Sequence, residues 1–288
     1  MKLYPLMIEN LFENINSIEQ VYAKIPYIND ASLLLDFSVT NFIKPAGIIA
    51  LMLISQYVAQ TSGQPVQITN LETDLLAYLE RVNFFKVAKQ WVQLEGELPE
   101  QQWDRNPQTA NLLELTPITN AVDVAMVIER AEAIFFRWLQ LPNLGSLLKV
   151  ISELCSNVYQ HSGDPHGFIM IQRYRVVSRN EVDVVVAVGD MGRGIRGSLA
   201  TKHPEFGDDP LDYIQAAMEG STSRHTGRGG LGLRMVEETV AKEGGYVWLR
   251  SETAAIRSYG PNRRYPFTDL ATMPGTQVVV EFRAPLRD

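Results

Sequence analysis

Only one cysteine, Cys155, occurs in the 288 residues, which excludes a disulfide framework or a Cys-rich zinc module within one chain. Histidine is almost as scarce, with His161, His166, His203 and His225 the four present. His161 and His166 lie across a Gly-Asp-Pro turn and are poor metal partners, and no His-x-x-x-His pair, Walker A loop or Gly-x-Ser-x-Gly elbow occurs. Basic residues are outnumbered, 26 against 33 acidic, so the net charge is −7 and the pI near 5.3. That balance argues against broad nucleic-acid or anionic-membrane binding, while leaving room for a local anion site. Internal repeats and low-complexity tracts are absent as well. Long apolar runs are missing too. Pro45 to Leu71 carries no charge, but its apolar part (Ala46–Ile54, then Tyr57–Ala59) ends at Gln60, short of the roughly 20 residues of a membrane span. A buried helix is expected there. Met1-Lys2-Leu3-Tyr4-Pro5 leads into Glu9, Asn10 and Glu13 with no apolar export segment, so a cytoplasmic location is expected.

What is present is an ordinary globular composition, 45% hydrophobic and 20% charged, in a chain long enough for two domains. Strand-length runs at Ser32–Phe37 and Val66–Ile68 alternate with helical patterns at Ala46–Gln60 and Thr73–Phe85, the latter with Thr73 as its cap. This rhythm predicts a small α/β domain. A polar stretch from Glu95 to Asn111 reads as a surface loop, and the boundary is placed near Pro117. Beyond it the pattern predicts helices over Val122–Leu139, capped by Asn120, and over Leu144–His161. Strands follow at Gly167–Val177 and Glu181–Val188, then a helix between Pro210 and Gly220 and another from Gly230 to Gly244. Tyr246–Ser251 and Thr276–Phe282 close the chain as strands. The expected second domain is a helix layer on a largely antiparallel sheet. Arg250, Arg257, Arg263 and Arg264 read as a solvated hairpin tip, or else as a docking surface for an acidic partner.

Three segments carry chemistry. On the helix ending at His161, Glu153, Asn157 and His161 recur at i, i+4 and i+8 along one flank of the apolar arc. An amide oxygen at a cavity edge suits a hard cation, and a neighbouring carboxylate can orient or deprotonate a nucleophile. A plain amphipathic helix with polar flanks would show the same pattern. Next, Asp190-Met191-Gly192-Arg193-Gly194 follows an apolar strand, where an acceptor-only carboxylate can receive the amino hydrogens of adenine. The alternative is an ordinary strand-ending turn. Gly192-x-Gly194-x-x-Gly197 also matches the dinucleotide fingerprint, but no second strand with a terminal acid follows, which argues against that reading. Third, Gly227-Arg228-Gly229-Gly230-Leu231-Gly232 opens a helix, where backbone N–H groups and the helix N-terminus can receive phosphate. Ser221–Thr226 before it is a possible mobile lid, and a plain flexible loop is the other option.

In this order and spacing the three segments resemble the GHKL ATPase family of gyrase B, Hsp90 and the histidine kinases. Glu153-Leu154-x-x-Asn157 with His161 is similar to its N box, Asp190-x-Gly192-x-Gly194 to its first glycine box, and Gly227–Leu233 to its second. Gly275-Thr276 resembles the terminal Gly-Thr of its adenine site. The likeness covers about Ala121–Arg283 and implies a GHKL α/β sandwich over 118–288 that binds ATP with Mg²⁺. It implies Glu153 as the catalytic carboxylate, Asn157 as the metal ligand, and Asp190, backed by Thr276, as the adenine acceptor. Gly192, Gly194, Gly227, Gly229, Gly230, Leu231 and Gly232 would contact or line the nucleotide, and His161 stands where sensor kinases often carry lysine.

All four histidines lie in the ATPase-like half and none precedes the N box, which disfavours a self-phosphorylating histidine kinase. The layout looks instead like the anti-sigma-factor Ser/Thr kinase branch. Residues 1–117 resemble a STAS domain, with Ala46 where such antagonists carry a phosphorylatable serine. The implied protein is an ATP·Mg-dependent regulatory kinase or slow ATPase with a regulatory partner (a sigma factor, an antagonist or another STAS protein), possibly a homodimer. A non-catalytic switch responding to ATP or ADP is the alternative.

Overall fold

The structure, a computed structural model, describes residues 3–9, 15–25, 32–96, 111–164, 166–221 and 230–287. The chain divides into two compact units, one up to residue 109 with Glu114–Thr116, the other Ala110–Leu113 with Pro117 onward.

The first unit runs β1 (Leu3–Met7), α1 (Ile15–Tyr22), β2 (Ser32–Asp36), α2 (Pro45–Ser62), β3 (Val66–Thr69), α3 (Thr73–Arg81), α4 (Phe84–Ala88) and β4 (Val92–Leu94). Its sheet has the order β1-β2-β3-β4 with every pair parallel. Parallel neighbours need crossover segments, and each one here carries a helix. Leu33 and Leu35 on β2 and Val66 and Ile68 on β3 have no exposure, so the face of each strand that carries them is packed into the core. The uncharged stretch is α2, buried from Pro45 through Gln56 and closed by Gly63 in a left-handed cap. No helix among the described residues is long and apolar enough to cross a membrane. Two local expectations fail here. Thr73 is the first helical residue, not the cap, and Glu72 precedes it without a side-chain bond. The expected single helix through Phe85 breaks at Asn83, whose φ of 64° is outside the helical range.

Next in the chain is β5 (Leu112–Ile118), which runs through Pro117 and whose residues Glu114–Thr116 group with the first unit. The second unit continues α5 (Ala121–Phe135), α6 (Leu141–His161), β6 (Gly167–Val176), β7 (Glu181–Asp190), α7 (Gly194–Leu199), α8 (Pro210–Glu219), α9 (Leu231–Lys242), β8 (Tyr246–Glu252), β9 (Ala254–Ser258), β10 (Arg264–Phe267) and β11 (Met273–Pro285). The sheet order is β10-β9-β8-β11-β7-β6-β5, antiparallel at every pairing from β10 to β6. Pro117 sits on the edge strand, where a missing N–H costs no ladder bond. The expected helix layer on a largely antiparallel sheet is therefore present.

Asn120 caps α5 in a capping box: its Oδ1 accepts from the N–H groups of Val122 and Asp123, and Asp123 accepts from its N–H in return. This helix ends at Phe135 rather than Leu139. The next, α6, starts at Leu141, earlier than Leu144, because Pro142 occupies the first turn where its missing N–H is harmless. Alternate residues of the strands, such as Val184, Val186, Val188 and Val280, face Leu147, Ile151, Leu154 and Val158 of α6 in one core. Cys155 lies inside that core, where burial pushes its thiol far up and favours the neutral form.

The arginine group departs from the expected solvated tip. Arg250 is 1% exposed and donates to the carbonyls of Glu252 and Ala271. Arg257 stacks over Tyr246 and Trp248, and Arg264 is ion-paired to Glu237; of the four, only Arg263 is exposed.

Candidate functional site

A cavity of about 240 Å³ opens between α6, the end of β7, and the starts of α7 and α9. Its apolar lining comes from Val158, Val188, Ile195, Leu249 and Val278 among others. The polar lining is where sequence expectation and fold meet. Glu153, Asn157, His161, Asp190, Gly194, Gly230, Leu231, Gly232 and Thr276 all line this one cavity, although they come from four separate stretches of chain. Gly192 is not on its wall. Gly227 and Gly229 lie outside the described residues.

Glu153, Asn157 and His161 are each half-buried, as expected for a row along the flank of the apolar arc of α6. The Asn157 side chain lines the cavity, and no hydrogen bond to it is present among the described residues. The C-terminal turn of α6 is held instead through its backbone. The carbonyl of His161 accepts from Arg193 Nε (2.8 Å) and Ser198 Oγ (3.0 Å), and the carbonyl of Ser162 accepts from Arg193 N–H (2.8 Å).

Asp190 ends β7 and is 3% exposed. Its Oδ1 accepts from Gly192 N–H at 2.8 Å. Burial pushes its carboxyl up to about 7, reinforced by the nearby charge of Asp164 and opposed by hydrogen bonds from the backbones of Gly192 and Thr276. Thr276 sits directly opposite Asp190 in the β7–β11 register. The glycines around Asp190 have separate reasons. A Cβ on Gly192 would stand 2.2 Å from the carbonyl oxygen of Ser162, so glycine there lets the loop pack on the end of α6. Gly194 has φ +68°, and a Cβ would meet Ser251 Oγ at 2.8 Å.

At the other rim, Gly230 is the left-handed cap of α9 (φ 89°) and Leu231 its first residue. A Cβ on Gly232 would fall 1.6 Å from Oε1 of Glu153. The Glu153 carboxylate thus lies against the first turn of α9.

Two supports of the site were not read from the sequence. Asp164 accepts from Met191 N–H with Oδ2 (2.8 Å) and from His166 N–H with Oδ1 (2.9 Å), so it holds the peptide after Asp190. Ser251 accepts from Ile195 N–H (3.0 Å) and donates to the Gly275 carbonyl (3.2 Å), joining the start of α7 to β11. Asp164 was visible only as part of a helix-stopping Gly-Asp-Pro turn. Ser251 carried no signal at all.

The donor set can be tested against an adenine nucleotide with its metal. An apolar slot with one buried carboxylate fits a base that presents an amino group. Among the described residues no group of three or more His, Cys, Asp or Glu could hold a metal. Mg²⁺ suits such a site, because it is commonly held by few protein oxygens together with substrate phosphates. The Asn157 side chain on the cavity wall can supply one. The residues present therefore fit the pair.

Comparison with known families matches residues 144–287, half of the 288-residue chain, to the histidine kinase-, DNA gyrase B- and HSP90-like ATPases. No curated protein matches the chain. The matched span runs from α6 to the end of β11 and contains every described element of the cavity. The chain belongs to the histidine kinase-, DNA gyrase B- and HSP90-like ATPase family.

Proposed function

We propose that the cavity binds ATP as its Mg²⁺ complex, and that the chain uses it in the cytoplasm as a regulatory protein kinase of the anti-sigma Ser/Thr type or as a slow ATPase. The convergence of Glu153, Asn157, Asp190, Gly232 and Thr276 on one cavity carries this reading. Asp190 accepts the adenine amino hydrogens, with Thr276 opposite it in the β7–β11 register. The first turn of α9 offers N–H groups and its partial positive charge to the phosphates. Asn157 holds Mg²⁺, which when bound neutralises phosphate charge and polarises the transferring group. Glu153, one turn before Asn157 on α6 and against the first turn of α9, is the carboxylate that can take the proton of an attacking hydroxyl or water. His161 borders the same wall and, when neutral, brings less charge to the phosphates than a lysine would.

The first unit supports a regulatory role as a STAS-like domain. Its strand and helix order, with α2 opening at Pro45-Ala46-Gly47, favours that assignment, and Ala46 removes the phosphorylatable hydroxyl. The partner is then a sigma factor, an antagonist or another STAS protein, and a second copy of the chain is a further candidate.

Radiolabelled ATP with purified protein tests the proposal, alongside Glu153→Ala. Phosphate release or transfer that disappears in the variant supports the catalytic assignment. Turnover that survives removes Glu153 from it. Tight binding without turnover leaves a nucleotide-responsive switch.

A further inference from the structure

A buried ion pair fastens α9 to the β9–β10 hairpin. Glu237 lies on α9, and its side chain has 0% exposure. Arg264 of β10 donates to it twice, Nε to Oε1 at 2.7 Å and Nη2 to Oε2 at 2.6 Å. The hydroxyl of Ser258 on β9 also donates to Oε1, and accepts in turn from Gly260 N–H at 3.0 Å. The remaining arm of the same guanidinium, Nη1, reaches Glu219, the last residue of α8, at 3.4 Å. One side chain therefore holds two consecutive helices, and the second of them opens onto the cavity.

The physics makes this a stiff joint. A bidentate guanidinium–carboxylate pair fixes both distance and angle, which the point charge of a lysine cannot reproduce. Sliding α9 along the sheet would strand the Glu237 carboxylate without its counter-charge in a dry interior, which is strongly unfavourable. A helix transmits such a constraint along its axis, and Glu237 lies within two turns of Gly232. Gly232 in turn abuts the carboxylate of Glu153.

We propose that Arg264 is a positioning residue for the nucleotide site: by clamping Glu237 it sets the first turn of α9, and with it the backbone facing the phosphates and the placement of Glu153. This rests on the reading of the cavity as a nucleotide site.

The test uses the full chain with Arg264→Lys, Arg264→Met and the pair Glu237→Leu with Arg264→Met, in which no charge is left stranded. Three quantities are read: ADP·Mg affinity by calorimetry, amide exchange over residues 231–234 against α6, and the melting temperature. The expected result is binding weakened about tenfold in Arg264→Met and in the paired variant, with Arg264→Lys between them and the wild type. Exchange at 231–234 rises in the same order while α6 is unchanged. The paired variant separates positioning from stability, since it keeps its melting temperature yet binds weakly. A folded paired variant with wild-type affinity and unchanged exchange overturns the proposal. If Arg264→Met does not fold, the paired variant decides alone. If the wild type binds no nucleotide, the functional reading has failed, and unchanged exchange at 231–234 in the paired variant independently overturns the clamp.

Discussion

Gly232 and Glu153 approach each other so closely that a methyl group on the glycine would fall 1.6 Å from the glutamate's Oε1. The obstructing atoms, Oε1, Cδ and Cγ, all belong to the Glu153 side chain, so Gly232→Ala displaces Glu153 rather than backbone. At the second position of α9 an alanine is also tolerated at least as well as glycine, with less than the roughly 1 kcal/mol gain of a helix interior. Gly232→Ala is therefore expected to melt at or slightly above the wild-type temperature while losing turnover about tenfold or more. A melting scan and a steady-state phosphate assay on the same sample check both halves.

Gly192→Ala behaves in the opposite way. Its methyl group would lie 2.2 Å from the Ser162 carbonyl, which is backbone at the end of α6 and cannot swing aside. The expected cost is about 1–3 kcal/mol of stability, as for other overpacked sites. Denaturant unfolding should show a lower midpoint with an unchanged slope.

Asp190 predicts a pH signature. Its carboxyl titrates near 3.8 when unfolded and near 7 when folded. Between those values the folded state holds more protons, so this group's contribution to stability is complete below about pH 4 and is lost as the pH rises through 7. Asp190→Asn abolishes the titration. Relative to that variant, the wild type should lose on the order of a few kcal/mol between pH 4 and pH 8 and change no further above it. Chemical denaturation across this range measures the difference, and parallel curves for the two proteins would contradict it.

Asn157 predicts a metal signature. Asn157→Ala removes the side-chain amide from the cavity wall but leaves the base slot intact. ATP binding measured in a chelator should be nearly unchanged, while the gain on adding Mg²⁺ should fall by about tenfold. Calorimetry with and without the metal separates the two.

Much of this site was legible because its residues are tied to local pattern. Glu153, Asn157 and His161 share a flank through helical period alone, and Asp190 announces itself by ending an apolar strand. The second glycine segment was placed correctly at the start of a helix, where Gly230 caps α9. The supports were not legible, because they are hydrogen bonds between residues distant in sequence. Asp164 reaches Met191 and Ser251 reaches Ile195, and no spacing rule connects either pair. The arginines were misread for a related reason: local polarity says nothing about whether Glu237, on a helix earlier in the chain, will meet Arg264. The start of α6 lies three residues before the expected Leu144, because a first turn accepts Pro142.

The most direct measurement is isothermal calorimetry of the folded wild-type chain with ADP·Mg and ATP·Mg, repeated on Asp190→Asn. One saturable site with adenine nucleotides, weakened at least tenfold in the variant, is the predicted result. Absence of saturable heat at millimolar nucleotide, or equal affinity in both proteins, would contradict the assignment of this cavity to ATP.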